Sequence, residues 1–433
     1  MTIRPPVPLC DRRERKRGDT VAKDLITAQQ AAAVRADGPV RFEALDSWRG
    51  LAAVFIILFH AQVASHVRDA SLVRAGEMFV DFFFVLSGFV IAHAYSGRLS
   101  TGADFGRFMV LRVGRVFPLH LVMLILFILM ETGKSLAPSL GAAGDAAFTG
   151  TNDILAIPTN VILLHVGTHD QLTWNTPAWS IAAEMVAYVA FGLAALLLGR
   201  FLWMAAVAGA VLSGWSLWAF APHGMESTYD FGDLRAIYGL SVGVLAYRLA
   251  VGGAARSYSR AAVGQGGVNP TLLEIAAIFL ALGFVSYAYR TPAAFAAPFV
   301  FALVVLVFAA ERGGVSAILR TRPFVAVGLV SFSIYMVHMF LVMRVTNVAR
   351  LADKLTGTNM VVPMGHGGEG VDLGNPFAGD LLVLAIVGLT IAVSLVTYRA
   401  IEQPGRDWFR RQADRLFSRK SESVERVAPS RTA

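Results

Sequence analysis

DSWRGLAAVFIILFH, running from Asp46 to His60, decides how this chain is read. It is an apolar run that opens beside a fixed cation, Arg49, and ends on an imidazole, His60. At about 100° and 1.5 Å per residue their spacing is close to three helical turns, so both side chains share one face roughly 16 Å apart. With Arg49 at a membrane edge, His60 lies near the middle of a hydrocarbon core about 30 Å thick. An ionisable side chain at that depth is costly and marks a candidate functional site; the plain alternative is a polar side chain hydrogen-bonded within a helix bundle.

The composition extends this reading to the whole chain. Hydrophobic residues make up 55% and charged residues 16% of 433, whereas soluble domains carry about 25% charge. The expected fold is an all-α polytopic membrane protein with about ten transmembrane helices. Apolar runs place them at 51–66, 78–95, 117–130, 178–198, 201–220, 234–250, 272–289, 294–310, 324–343 and 380–399. Counting Lys and Arg in alternate loops gives 29 on one side and 8 on the other. That asymmetry predicts both termini cytoplasmic and an even number of spans, and one missed span would destroy it. The net charge of +8 therefore reflects membrane orientation, and no nucleic-acid partner is expected. The single cysteine, Cys10, cannot form an intramolecular disulfide.

Three regions follow: a disordered cytoplasmic tail over 1–41, with no signal-peptide h-region; a membrane domain over 42–410; and a basic cytoplasmic tail over 411–433. Two outer segments are long, 131–176 and 344–379. The first holds an apolar piece, Ile154 to His165, too short to span and read as re-entrant or interfacial. The second, with Met364-Gly365-His366-Gly367-Gly368, is either a flexible lid or a connection. No fixed-period repeat is present.

Further motifs follow in order. Asp81 lies near the outer end of the second span, where it either orients His60 or caps the helix; the small Ser87-Gly88 pair suits close helix packing. Arg112 and Arg115, at i and i+3 by the third span, are two guanidiniums on one face that fit phosphate oxygens or serve only as topogenic charges. Glu184, five residues past Trp179, is a carboxylate inside the bilayer that needs a partner: His60, Arg49, a substrate hydroxyl, or a buried structural pair. Tyr335 and His338 share a face of the ninth span and form either a hydrogen-bonding surface for a polar ligand or an interhelical contact. Glu402-Gln403-Pro404-Gly405-Arg406 reads as structural, with Pro404 stopping the last helix. No cluster has metal-ligand spacing, and no metal is expected.

Together these residues resemble the acyltransferase-3 family of integral membrane O-acyltransferases, whose members modify cell-surface polysaccharides and related molecules. The resemblance rests on Asp46-x-x-Arg49-Gly50 with His60, Asp81 to Phe89, Arg112-x-x-Arg115-x-x-Pro118, Trp179-Ser180-x-x-x-Glu184, Ser331 to His338, and Glu402-x-Pro404-x-Arg406. Each motif alone is weak, and six in order are specific. Phe332 stands where the family commonly has Tyr, and Ala183 where an acidic or small polar residue is frequent, so neither is assigned chemistry. The chain reads as a stand-alone form without a hydrolase-like domain after the last span.

The resemblance implies that His60 acts at the acyl transfer, with Arg49 and Glu184 in support, and that Arg112 and Arg115 hold the donor, acyl-CoA and most simply acetyl-CoA. Asp81, Tyr335 and His338 are supporting residues. The partners implied are the lipid bilayer of a bacterial cytoplasmic membrane and a carbohydrate or glycolipid acceptor. A buried, neutral imidazole suits general-base work on a hydroxyl. The competing reading is a transporter or polysaccharide flippase with His60, Glu184 and His338 as a polar path.

Overall fold

Apolar runs with no water to bond their backbone must satisfy it internally, and here they do so as helices. The computed structural model describes residues 41–136, 146–251, 269–364 and 368–417. Eight helical stretches are long and apolar enough to cross a membrane, and one of these, Thr176–Phe220, holds two helices in succession. With Glu43–His60, whose first half carries Glu43, Asp46 and Arg49, ten long helices stand for the ten expected spans among the described residues. They are α1 (Glu43–His60), α2 (Phe79–Tyr95), α3 (Gly102–Leu136), α4 (Trp179–Leu198), α5 (Leu202–Phe220), α6 (Gly232–Val251), α7 (Pro270–Ala288), α8 (Ala297–Ala309), α9 (Ser331–Thr356) and α10 (Pro376–Thr397). The chain is an all-α polytopic membrane protein.

Several boundaries differ from expectation, each for a local reason. Helix α1 stops at His60 rather than at 66, because the next residues are held by a strand: Ala64 N–H donates to Val371 O (2.9 Å) and Val371 N–H to Gln62 O (2.8 Å). The holding strand belongs to a hairpin, β1 (Val361–Met364) paired antiparallel with β2 (Gly368–Val371). The second outer segment is thus partly a sheet, while its residues 365–367 lie outside the described residues. Helix α3 starts at Gly102, well before 117, and is 35 residues long, about 52 Å at 1.5 Å per residue; Arg112 and Arg115 are therefore inside it.

Pro404 does not stop the last helix. Helix α10 (Pro376–Thr397) runs without a break through a π turn, Tyr398–Glu402, into a further helix, α11 (Gln403–Phe417), whose second residue is Pro404; a π turn is the kind of irregularity that lets a helix take in a proline. The start expected for the basic tail, 411, falls within α11; residues 418–433 and the N-terminal tail up to 40 lie outside the described residues. In the first outer segment, the apolar piece folds as short turns, Ile154–Ala156 and Ile157–Val161. Asn160 ties them down, its carbonyl bonded to His120 of α3 (2.8 Å) and its amide to Thr173 (2.8 Å).

Helix α6 packs against α2, α4 and α5. The α2–α6 approach needs Gly88, since a Cβ there would run into the Leu240 carbonyl. Likewise a Cβ on Gly50 would lie 2.7 Å from Gly328 N, in the short helix Arg322–Leu329 that lies along α1. Outward faces carry exposed Leu197, Trp218, Phe279 and Leu381, as a lipid-facing surface requires.

Candidate active site

Inside this apolar bundle is a cavity lined by Arg49, Ser87, Arg115, Ser180, Glu184 and Tyr335, with Phe83 and Phe84 as its aromatic wall. Helices α1, α2, α3, α4 and α9 each contribute. Arg49 is held by Asp46 (Nη2 to Oδ1, 3.3 Å) and donates from Nε to Ser331 Oγ (3.3 Å). The partners expected for Glu184 are corrected: it accepts from Ser87 Oγ and from Tyr188 OH (2.6 Å) rather than from His60 or Arg49. Ser87 therefore faces the cavity and is no packing residue, unlike its neighbour Gly88. Tyr335 OH donates to Pro177 O (3.0 Å) and lies 2.7 Å from Ser180 Oγ.

The two arginines expected side by side are divided. Arg112 is enclosed by aromatic rings, its guanidinium 5.6 Å from the centroid of Tyr95, 5.8 Å from Phe108 and 5.7 Å from Tyr188. Arg115 lines the cavity. Among the described residues it makes no ion pair, although Asp46 and Glu402 balance Arg49 and Arg406 nearby. Glu184 lines the same cavity, but it is held by Ser87 and Tyr188, and a guanidinium outside any ion pair on a cavity wall is suited to an anionic ligand.

His60 and His338 meet beyond that wall. His338 is fully buried, and its Nε2 lies 3.2 Å from Nδ1 of His60. The His60 Nδ1 is also 3.0 Å from the Ile56 carbonyl, one turn back in α1. The pair does not line the cavity; Tyr335 does, and its ring centroid is 5.8 Å from that of His338. One aromatic ring therefore separates the arginine-lined cavity from the imidazoles. His60 and Arg49 share a face of α1, as their spacing requires.

Asp81 neither orients His60 nor caps α2, so both expectations fail. It forms a two-bond pair with Arg235 of α6 (Nε to Oδ1 and Nη2 to Oδ2, each 2.9 Å), and both side chains are 1% exposed. Glu77 (3.1 Å) and the Ser227 carbonyl (3.2 Å) both accept from Nη1. In an apolar interior the nearest guanidinium outbids an imidazole or a helix end, because an unpaired charge there is far more costly. No signal in one sequence pairs Arg235 with Asp81.

Residues 42–399 match the family model Acyl_transf_3, the Acyltransferase domain. The chain belongs to the acyltransferase-3 family. It is also 36% identical over 158 residues to "Protein 2 in picA locus" of Rhizobium radiobacter, covering 34% of this chain and 79% of that protein. No solved structure matches it. As an acyltransferase-3 protein it is a membrane acyltransferase, and its six motifs interlock. Arg49 bonds Ser331, Ser87 bonds Glu184, Ser180 bonds Tyr335, and Ser333 Oγ donates to Glu402 (2.7 Å). Gly405 packs on Pro118, which a Cβ would strike at 2.5 Å. Glu402, read as structural from the sequence, is thus joined to the site through Ser333, and Tyr188, missed there, stands four residues after Glu184 on the same helix face.

Proposed function

We propose that this acyltransferase moves an acyl group, most simply acetyl, from cytoplasmic acyl-CoA to a hydroxyl of an extracytoplasmic carbohydrate, in a bacterial cytoplasmic membrane, through the domain 42–410. The observation that carries the reading is Arg115: a guanidinium that makes no ion pair among the described residues, on the wall of a cavity inside the helix bundle. It suits the phosphates of acyl-CoA, with Arg49 beside it. Arg112, enclosed by aromatic rings, supports Arg115 from behind rather than gripping phosphate itself.

On this reading the pantetheine arm carries the thioester past Phe83 and Tyr335 toward His60. The imidazole takes the proton of the acceptor hydroxyl as its oxygen attacks the thioester carbonyl carbon. The C–S bond then breaks, and the leaving CoA sulfur takes up a proton. General-base assistance of this kind contributes about 10² to 10⁴ in rate. The carbohydrate class of the acceptor rests on the resemblance to polysaccharide O-acyltransferases.

The test uses membrane vesicles carrying the full chain, radiolabelled acetyl-CoA and the carbohydrate of the host envelope. Arg115→Ala is expected to raise the KM for acetyl-CoA about tenfold or more, and His60→Ala to abolish label transfer while the protein still inserts. Unchanged donor KM in Arg115→Ala removes the donor site from this cavity.

A further inference from the structure

The two imidazoles leave little freedom in where their protons sit. His338 Nδ1 is 2.7 Å from the Tyr335 carbonyl oxygen, which can only accept, so Nδ1 carries a hydrogen. Fully buried and without a carboxylate against it among the described residues, the ring is neutral, and its Nε2 is a lone pair. That lone pair is directed at Nδ1 of His60, 3.2 Å away, which also faces the Ile56 carbonyl at 3.0 Å. Between two acceptors, His60 Nδ1 must be the protonated nitrogen. Its Nε2 is then the lone pair, without a hydrogen-bond partner among the described residues, on a side chain that is only partly buried.

We propose that His338 is the positioning residue of the His60 base, holding it in the Nδ1–H tautomer and receiving its Nδ1–H bond when the ring becomes positively charged. The inference rests on the reading of His60 as the base. It assigns to a neutral imidazole the place that a carboxylate fills in many other His-based sites. The chemistry differs in one respect. A carboxylate brings a negative charge that would itself need a partner in an apolar bundle, whereas His338 brings an acceptor with no charge. As His60 Nε2 takes the hydroxyl proton, the Nδ1–H bond becomes charge-assisted and strengthens, so the interaction is worth more in the transition state than before it. Removing it should lower kcat and leave the KM for acetyl-CoA alone. Ile56 O fixes the tautomer in part by itself, which limits the expected loss.

Two variants separate this from simple packing. Gln in place of His338 brings an amide oxygen near the position of Nε2; Phe fills the same space without an acceptor. In the vesicle assay with acetyl-CoA, His338→Phe is expected to lose about 10- to 100-fold in kcat with donor KM unchanged, and His338→Gln to recover most of it. Equal activity in both variants, or better activity in His338→Phe, overturns the positioning role. A second measurement needs no turnover: nitrogen NMR of the full chain in nanodiscs with ¹⁵N-labelled histidine, with His60→Asn used to assign the signal. The expected result is a protonated Nδ1 and bare Nε2 on His60, with a proton contact to His338 Nε2. A bare Nδ1 on His60 refutes the inference outright. If His60→Ala still transfers label, it is the base reading that fails, whereas loss of activity in His60→Ala with full activity in His338→Phe refutes only the positioning role.

Discussion

Asp81 and Arg235 show how a buried charge is decided by whichever partner is nearest. Each is 1% exposed and the two share two hydrogen bonds of 2.9 Å. Asp81→Ala leaves a buried guanidinium with only Glu77 to balance it, and should cost about 3–5 kcal/mol; thermal unfolding in detergent reads this. Glu184→Gln keeps the size of the side chain and its bond to Ser87, and should reduce transfer while leaving that unfolding temperature close to wild type. His165 lies outside the spanning helices, 4% exposed with the ring of His120 stacked parallel to it. Burial first, and then the His120 ring, push its pKa from 6.5 down to about 3. The unfolded chain therefore takes up a proton that the folded chain refuses until much lower pH, so this contribution is complete above about pH 6.5 and is lost on acidification. By pH 5 the loss amounts to about 2 kcal/mol. His165→Gln should accordingly flatten the fall in unfolding temperature between pH 7 and pH 5, and an unchanged slope contradicts that assignment.

At the scale of elements, the helices were legible because apolar length alone marks a span, and the ends were not. Nothing in LAAVFIILFHAQVASH says that the helix stops at His60, since the cause is β2, some three hundred residues later. Pro404 misled for the opposite reason: a proline disturbs the α-helical hydrogen bonding without having to end the helix, and the π turn Tyr398–Glu402 lies directly before it. The Ser87-Gly88 pair was half legible. Gly88 serves the close approach of α2 to α6, while the Ser87 hydroxyl turns the other way, to Glu184. Gly88→Leu should therefore prevent α2 from seating on the Leu240 carbonyl, with most of the protein lost from the monodisperse peak in size-exclusion chromatography. Normal yield and elution would contradict that packing.

At the scale of the whole molecule, the motifs read along the chain turned out to be the contacts across it. Arg49 with Ser331, Ser180 with Tyr335 and Ser333 with Glu402 join stretches more than 60 residues apart, so order in sequence carried the family and only the fold could carry the pairing. The resulting arrangement has an arginine-lined cavity on one side of Tyr335 and the His60–His338 pair on the other. The account holds that a donor and an alcohol approach from opposite faces and meet at His60. Vesicles with the cytoplasmic face outward, supplied externally with labelled acetyl-CoA, measure this directly. The account predicts labelled carbohydrate inside wild-type vesicles and none inside those with His60→Ala; equal label in both, or label that stays outside, contradicts it.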